Sequence, residues 1–222
     1  MDSMDSGWRP SIAYVDEHED ERSNFFNDAF DTEFFNTIYL VAPTKDLDEL
    51  LDGLLSLDID ALVSDFNLSE AGPLSYDGDK LVSAFMSVRC DFPCFIRTAY
   101  GDQAISSAED VNRVYSKGGG RDKEDGRDLF ARIVHQINRY KSRLHAWQEE
   151  LDDLNNRPGR LSAAEVERAI ELDGKIESSI SRKSSIPSHI KKHLLEFDGS
   201  LIEEAENLIK HMRSALKEGE SK

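Results

Sequence analysis

Several short apolar runs in this chain lead directly into a residue with acid, hydroxyl or amine chemistry. IAYV, Ile12–Val15, is followed by Asp16 and Glu17, and ALVS, Ala61–Ser64, by Asp65. CFIR runs into Thr98, and VYS into Lys117. Carboxylates gathered at one place repel one another, so a cluster of three stays ionised only beside a cation. Oxygen donors of this kind suit a hard divalent ion, and magnesium fits. With a metal absorbing charge, one carboxylate can attack an electrophilic phosphorus. The acyl phosphate so formed has oxygens that the metal, a lysine ammonium and a hydroxyl can hold.

These side chains meet only if the apolar runs are strands of one sheet. Ile12–Val15, Thr37–Ala42, Ala61–Ser64, Phe95–Thr98 and Val114–Ser116 are the strand candidates, each bounded by polar or turn residues. Amphipathic segments lie between them. The clearest carries Leu47, Leu50, Leu51, Leu54 and Leu55, the stripe of a core-facing helix, with Thr44 as its expected cap. Strands alternating with helices predict an α/β fold, a doubly wound five-stranded parallel sheet of flavodoxin-like order 2-1-3-4-5. In such a sheet ligands sit at the carboxyl ends of the strands, where the order reverses. The first and third strands are then neighbours, so Asp16, Glu17 and Asp65 converge, with Thr98 and Lys117 on the far wall.

Charge divides the chain in two. Residues 1–140 hold 13 basic and 28 acidic residues, whereas the remainder holds 14 and 16. Beyond Gly118-Gly119-Gly120 and the charged turn to Gly126 the pattern is helical only. Phe130, Ile133, Ile137, Tyr140, Leu144, Trp147, Leu151 and Leu154 form a heptad seam. A seam of that length outgrows the sheet and calls for a partner helix, so a coiled coil or helical bundle and a homodimer are expected. Ser162-Ala163-Ala164-Glu165 has the form of a capping box opening a second helix, with Val166, Ala169, Ile170, Ile176 and Ile180 on its apolar side. A third helical region follows Pro187 and repeats Leu201, Ala205, Leu208, Met212 and Ala215. The expected division is an N-terminal tail over 1–11, a sheet domain over 12–140, and a helical extension over 141–222 that continues from the last helix of the sheet domain.

The first region resembles the receiver domains of two-component response regulators. The matching pieces are VDEHEDER, SDFNLS, YDGDKLVSAF, IRTAYGD and VYSK, five motifs in the family's order between about Ile12 and Tyr140. The resemblance implies that Asp65 is the phosphorylated aspartate, accepting a phosphoryl group from a sensor histidine kinase or phosphotransfer protein. It implies that Asp16 and Glu17 bind Mg2+ with Asp65, and that Asn67 offers the metal its backbone carbonyl. Thr98 would give its hydroxyl to the phosphoryl group, Ala99 a backbone N–H and Lys117 its ammonium. The chain departs from the family in three places. Extra residues within Glu70 to Tyr76 lengthen the loop before Asp77-Gly78, and Gly118 stands where a proline is common. Val114 occupies the position of a switching aromatic, with Tyr115 beside it.

What the extension does is read in more than one way. It is an interaction or dimerisation module, the whole being a phosphoacceptor rather than an enzyme with chemistry beyond its own phosphorylation and dephosphorylation. Alternatively the chain is a phosphate sink with no output of its own. A third reading takes Leu161 to Leu194 as a degenerate helix-turn-helix, with His189, Lys191, Lys192 and His193 on its recognition helix. Net charge weighs against DNA, since the whole chain stands at −17 and a DNA-reading face is normally basic. A haloacid-dehalogenase-type hydrolase is disfavoured, because Asn67 occupies the place of that chemistry's second aspartate. Cys90 and Cys94 are too few for a disulfide framework and read as buried thiols. No membrane span is evident, and MDSMDSGWRP lacks a signal peptide's positive charge, so a cytoplasmic protein is expected.

Overall fold

Strand alternation decides which side chains each face of the sheet buries. The computed structural model describes residues 7–69, 74–98, 114–116, 123–158, 161–181, 186–187 and 189–192. The strands are β1 (Ser11–Val15), β2 (Thr37–Val41), β3 (Ala61–Asp65), β4 (Cys94–Thr98) and β5 (Val114–Ser116). They form one parallel sheet in the order β2-β1-β3-β4-β5, as the sequence predicts. Val15 lies opposite Ser64, and Asp65 opposite Arg97, so β3 extends one residue further than expected and Asp65 is its last member.

Ile12, Tyr14, Ala61, Val63 and Phe95 point to one face. There they meet Phe25 and Ala29 of α1 (Glu19–Phe30), and Leu129, Phe130, Ile133 and Ile137 of α4 (Lys123–Asn155). Ala13, Val15, Leu62, Cys94 and Ile96 point the other way. They pack on Leu50, Leu51 and Leu54 of α2 (Leu47–Leu55) and on Leu81, Val82, Phe85 and Val88 of α3 (Gly78–Val88). Helices on both faces explain why these strands are continuous apolar runs, as in parallel sheets generally. The cysteines carry no disulfide, and Cys94 is buried.

Two local expectations change. The cap of α2 is Asp46, whose carboxylate accepts from the Asp48 N–H at 2.9 Å, while the Thr44 hydroxyl is spent on the Asp46 carbonyl. Helix α4 starts at Lys123, so Gly126 lies inside it. The heptad seam has two uses, since Phe130, Ile133, Ile137 and Tyr140 belong to the core of the sheet domain rather than to a free coiled-coil stripe. The capping box before α5 (Ala163–Ser181) forms as predicted. The Glu165 carboxylate accepts from the Ser162 N–H at 2.8 Å, and the Ser162 hydroxyl from the Glu165 N–H at 3.4 Å. Along α5, Ile170 and Leu172 are buried, whereas Ile180 is exposed.

The contacts divide the chain into two units, Met1–Ala146 with Ser179–Arg182, and Trp147–Ser178 with Lys183–Lys222. In the second unit Arg168 forks onto Glu150 at 2.7 and 2.8 Å and reaches Glu171 at 3.0 Å. Leu201 to Ala215, Gly118 to Gly120 and His193 lie outside the described residues.

Phe85 is fully buried and packs on Phe92 at 5.2 Å. Phe85→Ala is expected to cost about 3–5 kcal/mol, read as a lower urea midpoint for the sheet domain.

Candidate functional site

The acidic residues predicted to converge all leave the sheet at its carboxyl edge. Asp16 and Glu17 follow β1, Asp65 ends β3 and Thr98 ends β4. Backbone ladders carry on past the strands and fix the departures, with the Asp16 N–H donating to the Val41 carbonyl at 3.3 Å and the Phe66 N–H to the Arg97 carbonyl at 3.0 Å. Asp16 is 0% exposed, Asp65 5% and Thr98 1%. A carboxylate held that far from water needs hydrogen bonds or a cation.

Asp16 draws on its own neighbourhood. The Tyr14 hydroxyl donates to its Oδ2 at 2.6 Å, and the His18 N–H to its Oδ1 at 2.8 Å. Arg22 Nη1 donates to its backbone carbonyl at 2.6 Å, tying α1 to the end of β1. Asp65 Oδ2 accepts from the backbone N–H of Asn67 at 2.7 Å, a tight turn that aims the carboxylate.

Glu17 is the least satisfied member. One oxygen lies 2.9 Å from His18 Nδ1, while Oε2 is buried with no hydrogen-bond partner. Burial holds its carboxyl above the ordinary range, and the charges of Asp16 and Asp65 push it further the same way. Tyr14 likewise feels both Asp16 and Asp65. Asp16 and Asp65 leave adjacent strands, and the charge of each bears on Tyr14 and Glu17. Ligand atoms of Asp16, Glu17 and His18 lie within 4.8 Å of one another. Hard oxygen donors, shared negative charge and an orphaned buried oxygen fit a divalent cation such as Mg2+. His18 joins the cluster without having been singled out from the sequence, where a lone histidine after two acids carries no metal-ligand spacing. Ala99 and Lys117 lie outside the described residues.

The helix after Asp65 approaches it closely. The Gly78 N–H donates to the Phe66 carbonyl at 2.9 Å, and a β-carbon at Gly78 would collide with the Asp65 carbonyl oxygen. Asp77 precedes α3 yet does not cap it, because its carboxylate accepts from the Ser69 hydroxyl at 2.7 Å. The Tyr76 hydroxyl donates to the Thr44 carbonyl, joining this loop to the one before α2. Tyr115 packs on Phe95 at 5.8 Å, on the face covered by α1 and α4, whereas Val114 takes the opposite face with Ile96. Of the two side chains, the aromatic one is thus on the face away from Ile96.

No protein-family model matches the chain, and no curated protein matches it in sequence. Among solved structures it is similar to a two-component transcriptional regulator AraC from Clostridium phytofermentans, at 15% identity and TM-score 0.46, over 60% of this chain and 98% of that one. It is also similar to the signal receiver domain of an HD domain-containing protein from Pseudomonas fluorescens, at 20% identity and TM-score 0.42, over 61% and 98%. A third similarity is to the receiver domain of the Francisella response regulator 1452, at 15% identity and TM-score 0.39, over 60% and 99%. The strand order β2-β1-β3-β4-β5 and the helices on both faces give the chain a flavodoxin-like fold.

Two substitutions test the electrostatics and the packing of this edge. A carboxyl with a raised pKa favours the folded state at low pH and loses that contribution as pH rises through the raised value. Glu17→Gln should therefore raise the thermal midpoint of the metal-free protein at neutral pH, with the gain shrinking as pH falls through the raised value and gone once it reaches the ordinary carboxylate range. Gly78→Ala should destabilise by about 1–3 kcal/mol, since something rigid must move. Calorimetric melts in a chelator read both.

Proposed function

We propose that the chain is a phosphoacceptor of the receiver type. Asp65 takes a phosphoryl group from the phosphohistidine of a sensor histidine kinase or phosphotransfer protein, and the helical extension passes the change to a protein partner or a second copy. The observation that supports this reading is that the buried Asp16 and Asp65 leave adjacent strands at the carboxyl edge of the sheet, with Glu17, whose Oε2 has no hydrogen-bond partner, next in sequence to Asp16.

Asp16, Glu17 and Asp65, with the Asn67 carbonyl, are the residues to hold Mg2+. The ion neutralises phosphoryl charge when bound. The Asn67 N–H orients Asp65, whose carboxylate attacks phosphorus as the donor's nitrogen or oxygen departs with the bonding electrons. Thr98 supplies a hydroxyl to the product, with Ala99 and Lys117 assigned by resemblance to its other oxygens. The added charge of about −2 then acts on the sheet's outer face and through it on the extension. The same chemistry serves a phosphate sink, in which the phosphoryl group is simply lost to water.

The DNA-binding alternative draws less support. Lys191 is paired with Asp173 and with Glu177 at 2.8 Å, and Lys192 with Glu167 at 2.6 Å, so the cations of the would-be recognition helix are matched by acids of their own unit. Among the described residues no helix is long and apolar enough to cross a membrane.

Incubation with a small phosphoryl donor and Mg2+ should add one phosphoryl group, seen by intact mass, and Asp65→Asn should abolish it. Labelling that persists in Asp65→Asn removes the proposal. Sedimentation of the full chain against a truncation ending near Tyr140 should show self-association in the longer form only.

A further inference from the structure

We infer that Tyr14 is a positioning residue for this acidic site, its hydroxyl fixing the Asp16 carboxylate in the orientation from which that carboxylate serves the divalent cation. The inference rests on the phosphoacceptor reading above and adds to it a residue that neither the motif resemblance nor the sequence patterning marks.

Tyr14 and Asp16 are two residues apart at the end of β1, so both point to the face covered by α1 and α4. Both are 0% exposed, and the phenol oxygen lies 2.6 Å from Asp16 Oδ2. That separation belongs to charge-assisted O–H···O− bonds, which are about twice as strong as neutral ones. Packing leaves the ring no other place. It is stacked on Phe25 with centroids 4.0 Å apart and planes 12° apart, and Phe25 meets Phe130 edge-on at 5.3 Å.

The second Asp16 oxygen accepts from the His18 N–H at 2.8 Å, so the carboxylate is pinned at both oxygens. Glu17 has one oxygen 2.9 Å from His18 Nδ1 and the other buried with no hydrogen-bond partner. The two acids therefore divide the work. Asp16 is held in place before a cation arrives, and Glu17 gains its missing partner when one does. Outer partners of this type change metal affinity by about 10–100-fold when removed.

The test compares two variants by calorimetric titration of the full chain with Mg2+, alongside thermal melts. Tyr14→Phe deletes the hydroxyl and keeps the ring on Phe25. Phe25→Leu loosens the stack and keeps the hydroxyl. Tyr14→Phe should weaken Mg2+ binding about tenfold with the smaller loss of thermal midpoint, while Phe25→Leu should lose more midpoint and retain wild-type affinity. Wild-type affinity in Tyr14→Phe overturns the inference, as does a loss of affinity that tracks the midpoint in both variants. A Tyr14→Phe chain that does not fold also overturns it, because the hydroxyl then serves the fold. Absence of saturable Mg2+ binding in the wild type, or binding that survives Asp16→Asn, points elsewhere: the phosphoacceptor reading itself then fails.

Discussion

Crowded negative charge at the carboxyl edge of a parallel sheet is the constraint around which this structure is arranged. Asp16 and Asp65 leave adjacent strands with almost no contact with water, and Glu17 stands beside them. Uncompensated, such a cluster would drive its members to protonate. The chain offsets part of the repulsion through local donors: the Tyr14 hydroxyl, the backbone N–H groups of His18 and Asn67, and the His18 ring. What those donors leave over is concentrated on Glu17, whose carboxyl is pushed up and whose second oxygen has no hydrogen-bond partner.

Rigidity around the edge comes from backbone as much as from side chains. Gly78 lets the start of α3 rest against the Asp65 carbonyl. The Ser69–Asp77 and Tyr76–Thr44 bonds tie down residues just before α3. Asp77 forgoes its capping bond for this purpose. Behind the site, the stack of Tyr14, Phe25 and Phe130 links β1, α1 and α4 in one aromatic column. Arg97, one residue before Thr98, lies 5.5 Å from the Phe25 ring centroid with its Nη1 buried and unmatched, so a cation lines the same face.

The helical extension obeys a different balance. Helix α4 spends the first part of its seam on the sheet core, and in the second unit the described charged residues pair densely across helices. Exposed pairs of that kind are each worth little in water, so they select a pairing more than they stabilise it. Leu154, Ile170 and Leu172 are the buried apolar residues of that unit among those described.

The sequence alone was enough to read the strands, their order, the Leu50–Leu51–Leu54 stripe, the Ser162–Glu165 capping box and the acids that close on one edge. These are carried by period, by turn chemistry and by the rule that parallel sheets place ligands at their reversal point. Tertiary structure decided the rest. Which half of the heptad seam faces the sheet depends on where α4 lands, and a periodic pattern is identical for either partner. Tyr14 looked like any apolar strand residue until its hydroxyl met Asp16, and Gly78 like an ordinary turn glycine until α3 reached the Asp65 carbonyl. Residue type and spacing encode local geometry and burial, whereas the donor that satisfies a buried charge is chosen by contacts at the level of ångströms that only the packed chain creates.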